Sequence, residues 1–588
     1  MKSFFKYLLA TVLGVIIAGL LLFFIMIGSI GAMVSSQDQA VKVKPHTILH
    51  LTLDQPIMDR SNKNPMESFD FSSFKPTTQL GLNDIIANLD KAKNDPNIDG
   101  IYLDLTVIPT GIATIEEIRN ALIKFKESGK FILAYADVYT QTTYYMASVA
   151  DKVYLNPEGE FAFIGMRSEI MFFKEAMEKL GLEPQIIRHG KFKSAVEPFM
   201  YTKMSDENRE QIMTYMGSIW NHLLEGISKE RQLSVKTLND LADNLTIKDA
   251  QAAVDNGLID GLKYKDEILA DLAERTEKTD DKKIETINLS KYFKAPGEKK
   301  KSLEKNKIAV VYASGSVIMG EGQEGTIGSD RISKAIREAR KDSTVKAIVF
   351  RVNSGGGSAL ASEIIWREVK LAQEVKPVIA SLGDVAASGG YYIVAPAQKI
   401  IASQNTITGS IGVFGLLFSG KDLLNNKLGV HVDVAKTNKF ADMGSFNRPL
   451  TAQEREIIQF GVEEIYDTFI SHVAEGRNMT KEQVDEIGQG RVWSGANAIE
   501  IGLIDGFGGL NDAIALAAEA ANLEKYRVVE FPKLKDPFEQ ILEDLQGNAM
   551  TSIVKNQLGN EYKYYETLQN AKQMQGIQAR IPYEIEIY

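Results

Sequence analysis

An α/β fold in two tandem copies is what this sequence predicts, and two observations carry it. Strand-like and helix-like stretches alternate along the chain, the order expected of parallel strands joined by helical crossovers. The alternation then recurs. Asp99-Gly100-Ile101-Tyr102-Leu103-Asp104-Leu105 aligns with Lys346-Ala347-Ile348-Val349-Phe350-Arg351-Val352, and Tyr144-Tyr145 with Tyr391-Tyr392, both at an offset of 247 positions. Gly257-Leu258-Ile259-Asp260-Gly261 returns as Gly502-Leu503-Ile504-Asp505-Gly506 at an offset of 245, so only small insertions separate the copies. The period is too long for a solenoid. A chain of 588 residues exceeds one hydrophobic core, and the repeat supplies the domains.

The elements follow in order. Residues 7–34 carry no charge and are mostly Leu, Ile, Val, Phe, Ala and Gly. At about 1.5 Å per helical residue they can cross a hydrocarbon core of about 30 Å. Lys2 and Lys6 precede this run, so the positive-inside rule leaves the N-terminus in the cytoplasm and the bulk of the chain outside. Residues 1–34 therefore read as a single-pass anchor. A cleaved signal peptide, with Ser29 and Gly31 before the cut, is the competing reading, but the apolar run is longer than a usual signal core.

Residues 35–45 read as a polar tether, 46–53 as a strand and 62–78 as a loop rich in polar and aromatic residues. The first copy, residues 35–273, continues as strand 100–105, helix 113–127, strand 131–135, helix 142–149 and strand 153–155, with helical spacing again over 172–180 and 207–225. Residues 274–307 are dense in Lys, Glu and Asp and read as a solvated connector; contact of Lys299-Lys300-Lys301 with anionic lipid is the alternative. The second copy, residues 308–532, gives strands at 308–312, 347–351 and 378–381, a helix over 359–373, and a turn into the helix that carries Ser388. Residues 533–588 have no counterpart in the first copy and read as an extension serving packing or assembly.

Composition excludes several chemistries. With 67 basic against 77 acidic residues and a net charge of −10, a nucleic-acid partner is not expected. The absence of cysteine removes thiol catalysis, disulfides and cysteine-rich zinc sites. The six histidines, at 46, 50, 189, 222, 431 and 472, lack the His-Glu-x-x-His spacing that puts two ligands on one helical face, so a metal site is not expected.

Two runs carry chemistry: Gly190-Lys191-Phe192-Lys193-Ser194-Ala195-Val196-Glu197-Pro198-Phe199 and Asp384-Val385-Ala386-Ala387-Ser388-Gly389-Gly390-Tyr391-Tyr392. A serine followed by two glycines suits a nucleophile at a helix start, and a lysine can serve as its base. Across the repeat, the first copy has Gln141 in the place of Ser388, with Thr142 and Thr143 replacing Gly389 and Gly390. The second copy has Asn438-Lys439-Phe440-Ala441 over Gly190 to Lys193, so Ala441 stands in the place of the lysine. The losses are complementary, as expected if a self-sufficient ancestor was duplicated and each copy kept one group. Lys193 as an ordinary surface lysine is the alternative. A basic role requires that the amine be desolvated, because a free lysine is charged at neutral pH. His189 invites a Ser-His reading, but the residues around Ser388 are not a Gly-x-Ser-x-Gly elbow.

Together with Arg351-Val352-Asn353-Ser354-Gly355-Gly356-Gly357-Ser358 and Thr408-Gly409-Ser410-Ile411-Gly412-Val413-Phe414-Gly415, these runs resemble the signal peptide peptidase A family in its long, duplicated form, over roughly residues 45–530. Gly355 departs from the family pattern, which has proline there, and frees the backbone of that loop. The resemblance implies two tandem Clp-protease/crotonase-like domains behind a transmembrane helix and a dyad of Ser388 and Lys193. It also implies an oxyanion hole at Gly356 and Gly389, and a lysine-orienting Ser410 whose counterpart in the first copy is Phe163. It further implies a homotetrameric bowl. The activity implied is endopeptidase action, without cofactor, on apolar peptides such as released signal peptides at the extracytoplasmic face of the bacterial inner membrane. Two other classes stay open: a crotonase-like acyl-CoA enzyme, using the same backbone hole without a nucleophilic serine, and a catalytically inactive membrane scaffold.

Overall fold

Apolar runs bounded by Gly, Asn and Asp form strands buried on both faces, as parallel sheets require. The computed structural model describes residues 41–61, 80–277, 284–296, 304–534 and 576–581, with parts of 4–21 and the short pair 69–70 and 75–76. In the first copy the strands are β1 (Thr47–Leu51), β2 (Ile98–Asp104), β3 (Phe131–Tyr139), β4 (Lys152–Phe161), β5 (Glu183–Arg188), β6 (Gly261–Leu262) and β7 (Glu285–Asn288). All but β5 form one parallel sheet in the order β6-β4-β3-β2-β1-β7. Strand β7 lies inside the charged stretch read as solvated connector. Its Ile287 is buried against the first core, and its charged and polar neighbours mask that contact in the sequence.

The second copy contributes β8 (Lys307–Ser314), β9 (Ser316–Ile318), β10 (Thr326–Gly328), β11 (Val345–Ser354), β12 (Gly356–Ser358), β13 (Val378–Ala387), β14 (Lys399–Ala402), β15 (Ile407–Gly409), β16 (Phe414–Ser419), β17 (Val492–Ser494), β18 (Gly506–Phe507) and β19 (Arg527–Phe531). The main sheet runs β17-β15-β13-β11-β8-β19, with β14 and β18 branching from β13. A third sheet, β10-β9-β12-β20-β16-β5, contains β20 (Gly576–Arg580) from the C-terminal extension and, at its edge, β5 from the first copy.

The repeat is repeated in the polar bonds. The Tyr144 hydroxyl donates to the Leu258 carbonyl at 2.5 Å, and the Tyr391 hydroxyl to the Leu503 carbonyl at 2.6 Å. Asp260 accepts from the Val153 N–H, and Asp505 from the Ile400 N–H. Both pairs follow the sequence offset.

The copies are stitched together through the helix Ile112–Lys126. Fully buried Arg351 of β11 donates to Asp59 at 2.7 Å and to Glu117 at 2.6 Å. Asp384 of β13 accepts from the Thr114 N–H at 2.9 Å and its hydroxyl at 2.7 Å, near the start of that helix. Burial raises the Asp384 carboxyl, and the Thr114 bonds oppose that shift in part. The expected N-terminal anchor falls partly outside the described residues, and among the described residues no helix is long and apolar enough to cross a membrane.

Candidate active site

Ser388 directly follows β13 and caps the short helix Gly389–Tyr392, with φ 55° and ψ −118°. That backbone is strained for a residue with a side chain, at roughly 1–3 kcal/mol, and such strain persists only where the surroundings impose it. Here the Ser388 N–H donates to the Gly409 carbonyl and its carbonyl accepts from the Tyr392 N–H.

Lys193 comes from the first copy and reaches the second through β5. Strand β5 pairs antiparallel with β16, Arg188 opposite Phe414. The chain then continues along the second copy, the His189 N–H donating to Val413 and the Phe192 N–H to Gln489. The lysine sits at the start of a single helical turn, Ser194–Val196. Two glycines make room for it. A Cβ on Gly412 would lie 3.2 Å from Lys193 Cδ, and Gly490, at φ +85°, passes still closer to its backbone.

The loop is held from below. Gln211 donates its amide to the Phe192 carbonyl at 3.2 Å and to Ser194 Oγ at 2.9 Å, and accepts from the Val492 N–H at 3.0 Å. Glu197, fully buried, accepts from Ser205 Oγ at 2.6 Å and Asn208 Nδ2 at 3.0 Å.

These elements bring three side chains to one point. Lys193 Nζ lies 2.8 Å from Ser388 Oγ and 3.0 Å from Ser410 Oγ, and donates to the Ser410 carbonyl at 3.2 Å. All three residues are 0 % exposed, so Lys193 is not a surface lysine. Desolvation by burial alone holds its amine well below the ordinary lysine value. A neutral amine beside a hydroxyl is the arrangement needed to remove the hydroxyl proton.

The glycine loop is arranged differently from the expectation in one respect. The Gly356 N–H donates to Ser354 Oγ at 3.1 Å, so it is committed within the loop. The glycine in register with Ala579 of the neighbouring strand is the next one, Gly357. Gly356 still lies against the site: at φ +94°, a Cβ there would fall 2.7 Å from the Gly389 nitrogen.

His189 stacks on Tyr466 with ring centroids 3.8 Å apart and bonds Glu463 at 2.5 Å, which accounts for it without catalysis. In the first copy, Gln141 bonds the backbone of Gly165 as donor and acceptor, and Phe163 packs edge-on to Tyr144. Hydrogen bonding and aromatic packing thus occupy the counterpart of the site. Ala441 is exposed in a turn of the second copy.

Gln211 and Gly490 escape sequence reasoning because Gln211 meets Val492 across 281 residues and Gly490 meets Lys193 from the other copy, while the run holding Gly412 does not reveal that it faces Lys193. The motif around Lys193 does carry one signal, the buried-type Pro198 and Phe199 flanking Glu197, which marks that carboxylate as anchored rather than solvated.

Comparison with known proteins agrees with the duplicated layout. A family model described as peptidase family S49 matches residues 124–279 and again 370–524. Protease 4 of Haemophilus influenzae is 37% identical over 457 residues, 76% of this chain and 74% of that one. Protease 4 of Salmonella typhi is 36% identical over 485 residues, 80% of this chain and 77% of the relative. The chloroplastic serine protease SPPA of Arabidopsis thaliana is 34% identical over 511 residues, 85% of this chain and 74% of that one. With both copies matched and these relatives aligned over most of their length, the chain belongs to peptidase family S49, as a serine peptidase built from two repeated domains.

Proposed function

We propose that this peptidase is a Ser-Lys endopeptidase in which Ser388 is the nucleophile and Lys193 its general base. The observation that carries the reading is the 2.8 Å approach of a buried lysine amine to a buried serine hydroxyl. The neutral Lys193 amine takes the Ser388 proton as Oγ attacks the substrate carbonyl. The resulting ammonium gives that proton to the leaving amine, and water then hydrolyses the acyl-enzyme. Ser410 Oγ orients the amine throughout. The oxyanion is received by the Gly389 N–H and by the glycine loop around Gly356, with Gly357 as the loop donor because the Gly356 N–H already serves Ser354.

Apolar peptides, including released signal peptides, are the substrates in this reading. Residues 7–34 anchor the chain in the inner membrane, with the catalytic copies on the extracytoplasmic side; support comes from their charge-free composition and the preceding lysines. Assembly as a homotetramer completes the proposal, supported by exposed apolar residues Leu428, Val430, Val432 and Val434, which alternate along one stretch of the second copy.

The test is labelling with a serine-directed acylating probe, mapped by mass spectrometry. Label on Ser388 that disappears in Lys193→Ala, together with peptide hydrolysis lost in both Ser388→Ala and Lys193→Ala, is the expected result. Undiminished hydrolysis in Ser388→Ala would overturn it.

A further inference from the structure

The helix after Ser388 is a single turn, Gly389–Tyr392, and a helix that short does not hold itself in water. What holds it bears on the chemistry. The Tyr392 N–H donates to the Ser388 carbonyl at 2.8 Å. That carbonyl and the Gly389 N–H belong to one planar trans peptide and point in opposite directions. Fixing the carbonyl on Tyr392 therefore also fixes the aim of the Gly389 N–H, the donor that receives the oxyanion in the reading above.

Tyr392 is in turn held by its side chain. It is buried and donates its hydroxyl to Glu363 Oε2 at 2.5 Å, and His472 Nε2 lies 3.0 Å from the same oxygen. Its ring packs on Phe469 with centroids 4.5 Å apart and meets His472 edge-on at 5.5 Å, while Trp366 stacks on His472 at 3.5 Å. Glu363 and Trp366 lie one turn apart on the helix Ala359–Gln373, and Phe469 and His472 one turn apart on the helix Ala452–Arg477. Two helices thus grip one phenol. Burial acts to raise the Glu363 carboxyl, but the bonds from His472 and Tyr392 outweigh it and hold the group below its ordinary value. Burial, together with that carboxylate, holds the Tyr392 phenol well above its own, so a neutral donor faces an ionised acceptor.

The first copy shows that the fold does not itself demand this grip. Glu116 precedes Glu363, and Tyr145 precedes Tyr392, by the same offset of 247 positions. There the carboxylate bonds His222 at 2.8 Å and reaches across the seam to Ser403 and, at 3.0 Å, to Asn405 of the second copy. Tyr145 is fixed instead by Arg119, whose Nε donates to its carbonyl at 3.0 Å and whose guanidinium lies 4.6 Å from its ring. Of the two copies, the one that turns this carboxylate to the tyrosine is the one that carries the nucleophile.

Resting on the Ser-Lys reading above, we infer that Glu363 and Tyr392 are positioning residues for the peptidase. The carboxylate holds the phenol, the phenol holds the end of the short helix, and the Tyr392 N–H sets the peptide plane that presents the Gly389 N–H. Both act on the rate of attack rather than on substrate binding.

The test measures kcat and KM on an added apolar peptide, the rate of serine-directed acylation at Ser388, and thermal unfolding, all in the full chain. Tyr392→Phe keeps the ring and removes only the hydroxyl. It is expected to lower kcat roughly tenfold with KM unchanged, a smaller loss than the 10²-fold or more that follows removal of an oxyanion donor. Glu363→Ala should give the same loss, and combining it with Tyr392→Phe no further loss, as for two members of one unit. Glu363→Gln, which keeps an oxygen to accept from the phenol, should recover most of the rate. Tyr145→Phe, the counterpart substitution in the first copy, should leave kcat at the parental value. A contribution to folding alone predicts a lower Tm with kcat of the folded chain intact. If Tyr392→Phe retains the parental kcat and acylation rate, or if Tyr145→Phe loses as much, the inference is overturned and the Ser-Lys reading stands. If Ser388→Ala hydrolyses the peptide as well as the parent does, that reading falls and the inference with it.

Discussion

Gly490 passes so close to Lys193 that a Cβ on it would lie 2.6 Å from the lysine Cα, Cβ and N. At φ +85° the position also disfavours any residue with a side chain. Gly490→Ala is therefore expected to displace the amine without touching the substrate. A shift of about 1 Å commonly costs on the order of 10²-fold, so kcat should fall by about that factor with KM little changed. Steady-state kinetics on a peptide substrate checks it.

The buried amine also leaves a signature in stability. Its proton affinity is depressed by burial in the folded chain and returns to the ordinary value, about 10.4, on unfolding. Between the depressed value and the ordinary one the unfolded chain binds more protons, so stability rises with pH across that window. Lys193→Met is thus expected to be more stable than the parent at pH 7, with the difference shrinking toward pH 10. Urea unfolding at the two pH values measures it. Activity of the parent should rise with pH through the same depressed value as the amine loses its proton.

Gln211 joins the Lys193 loop to Val492 through three hydrogen bonds. Gln211→Leu would leave the buried Val492 N–H without its acceptor, at about 1–3 kcal/mol. A lower urea midpoint and a lower kcat are expected together, with the acylating probe reacting more slowly at Ser388.

Arg351 is the cation paired with both Asp59 and Glu117 in the core between the copies. Removing one partner of such a buried group commonly costs about 3–5 kcal/mol, and Arg351→Met should lose about that much. Replacing the carboxylates as well, with Asp59→Asn and Glu117→Gln in the same chain, should restore most of it. Thermal unfolding of the single and triple variants distinguishes charge burial from lost packing.

The parallel strands were legible because each is an apolar run of the right length between turn residues, and the helix Ala359–Gln373 falls where its periodicity puts it. The meeting of Lys193 with Ser388 was legible through the repeat, since Gln141 and Ala441 stand where the partner groups are missing. Strand β5 was not legible: Glu183, Pro184 and Gln185 have no strand pattern, and its partner lies more than 200 residues away. Strand β7 was hidden by charge, and β20 by a Gln-rich context in which only the sheet edges of β12 and β16 impose extended backbone. The commitment of the Gly356 N–H to Ser354 depends on loop torsions that no residue pattern encodes.

The pairing of Glu183–Arg188 with Phe414–Ser419 has a historical consequence. On the Ser-Lys reading, that shared ladder, continued by the bonds of His189 to Val413 and of Phe192 to Gln489, carries the amine of one half to the hydroxyl of the other. Under that reading a descendant that discarded either half would discard one of the two reacting groups with it, so the fused arrangement would be hard to undo.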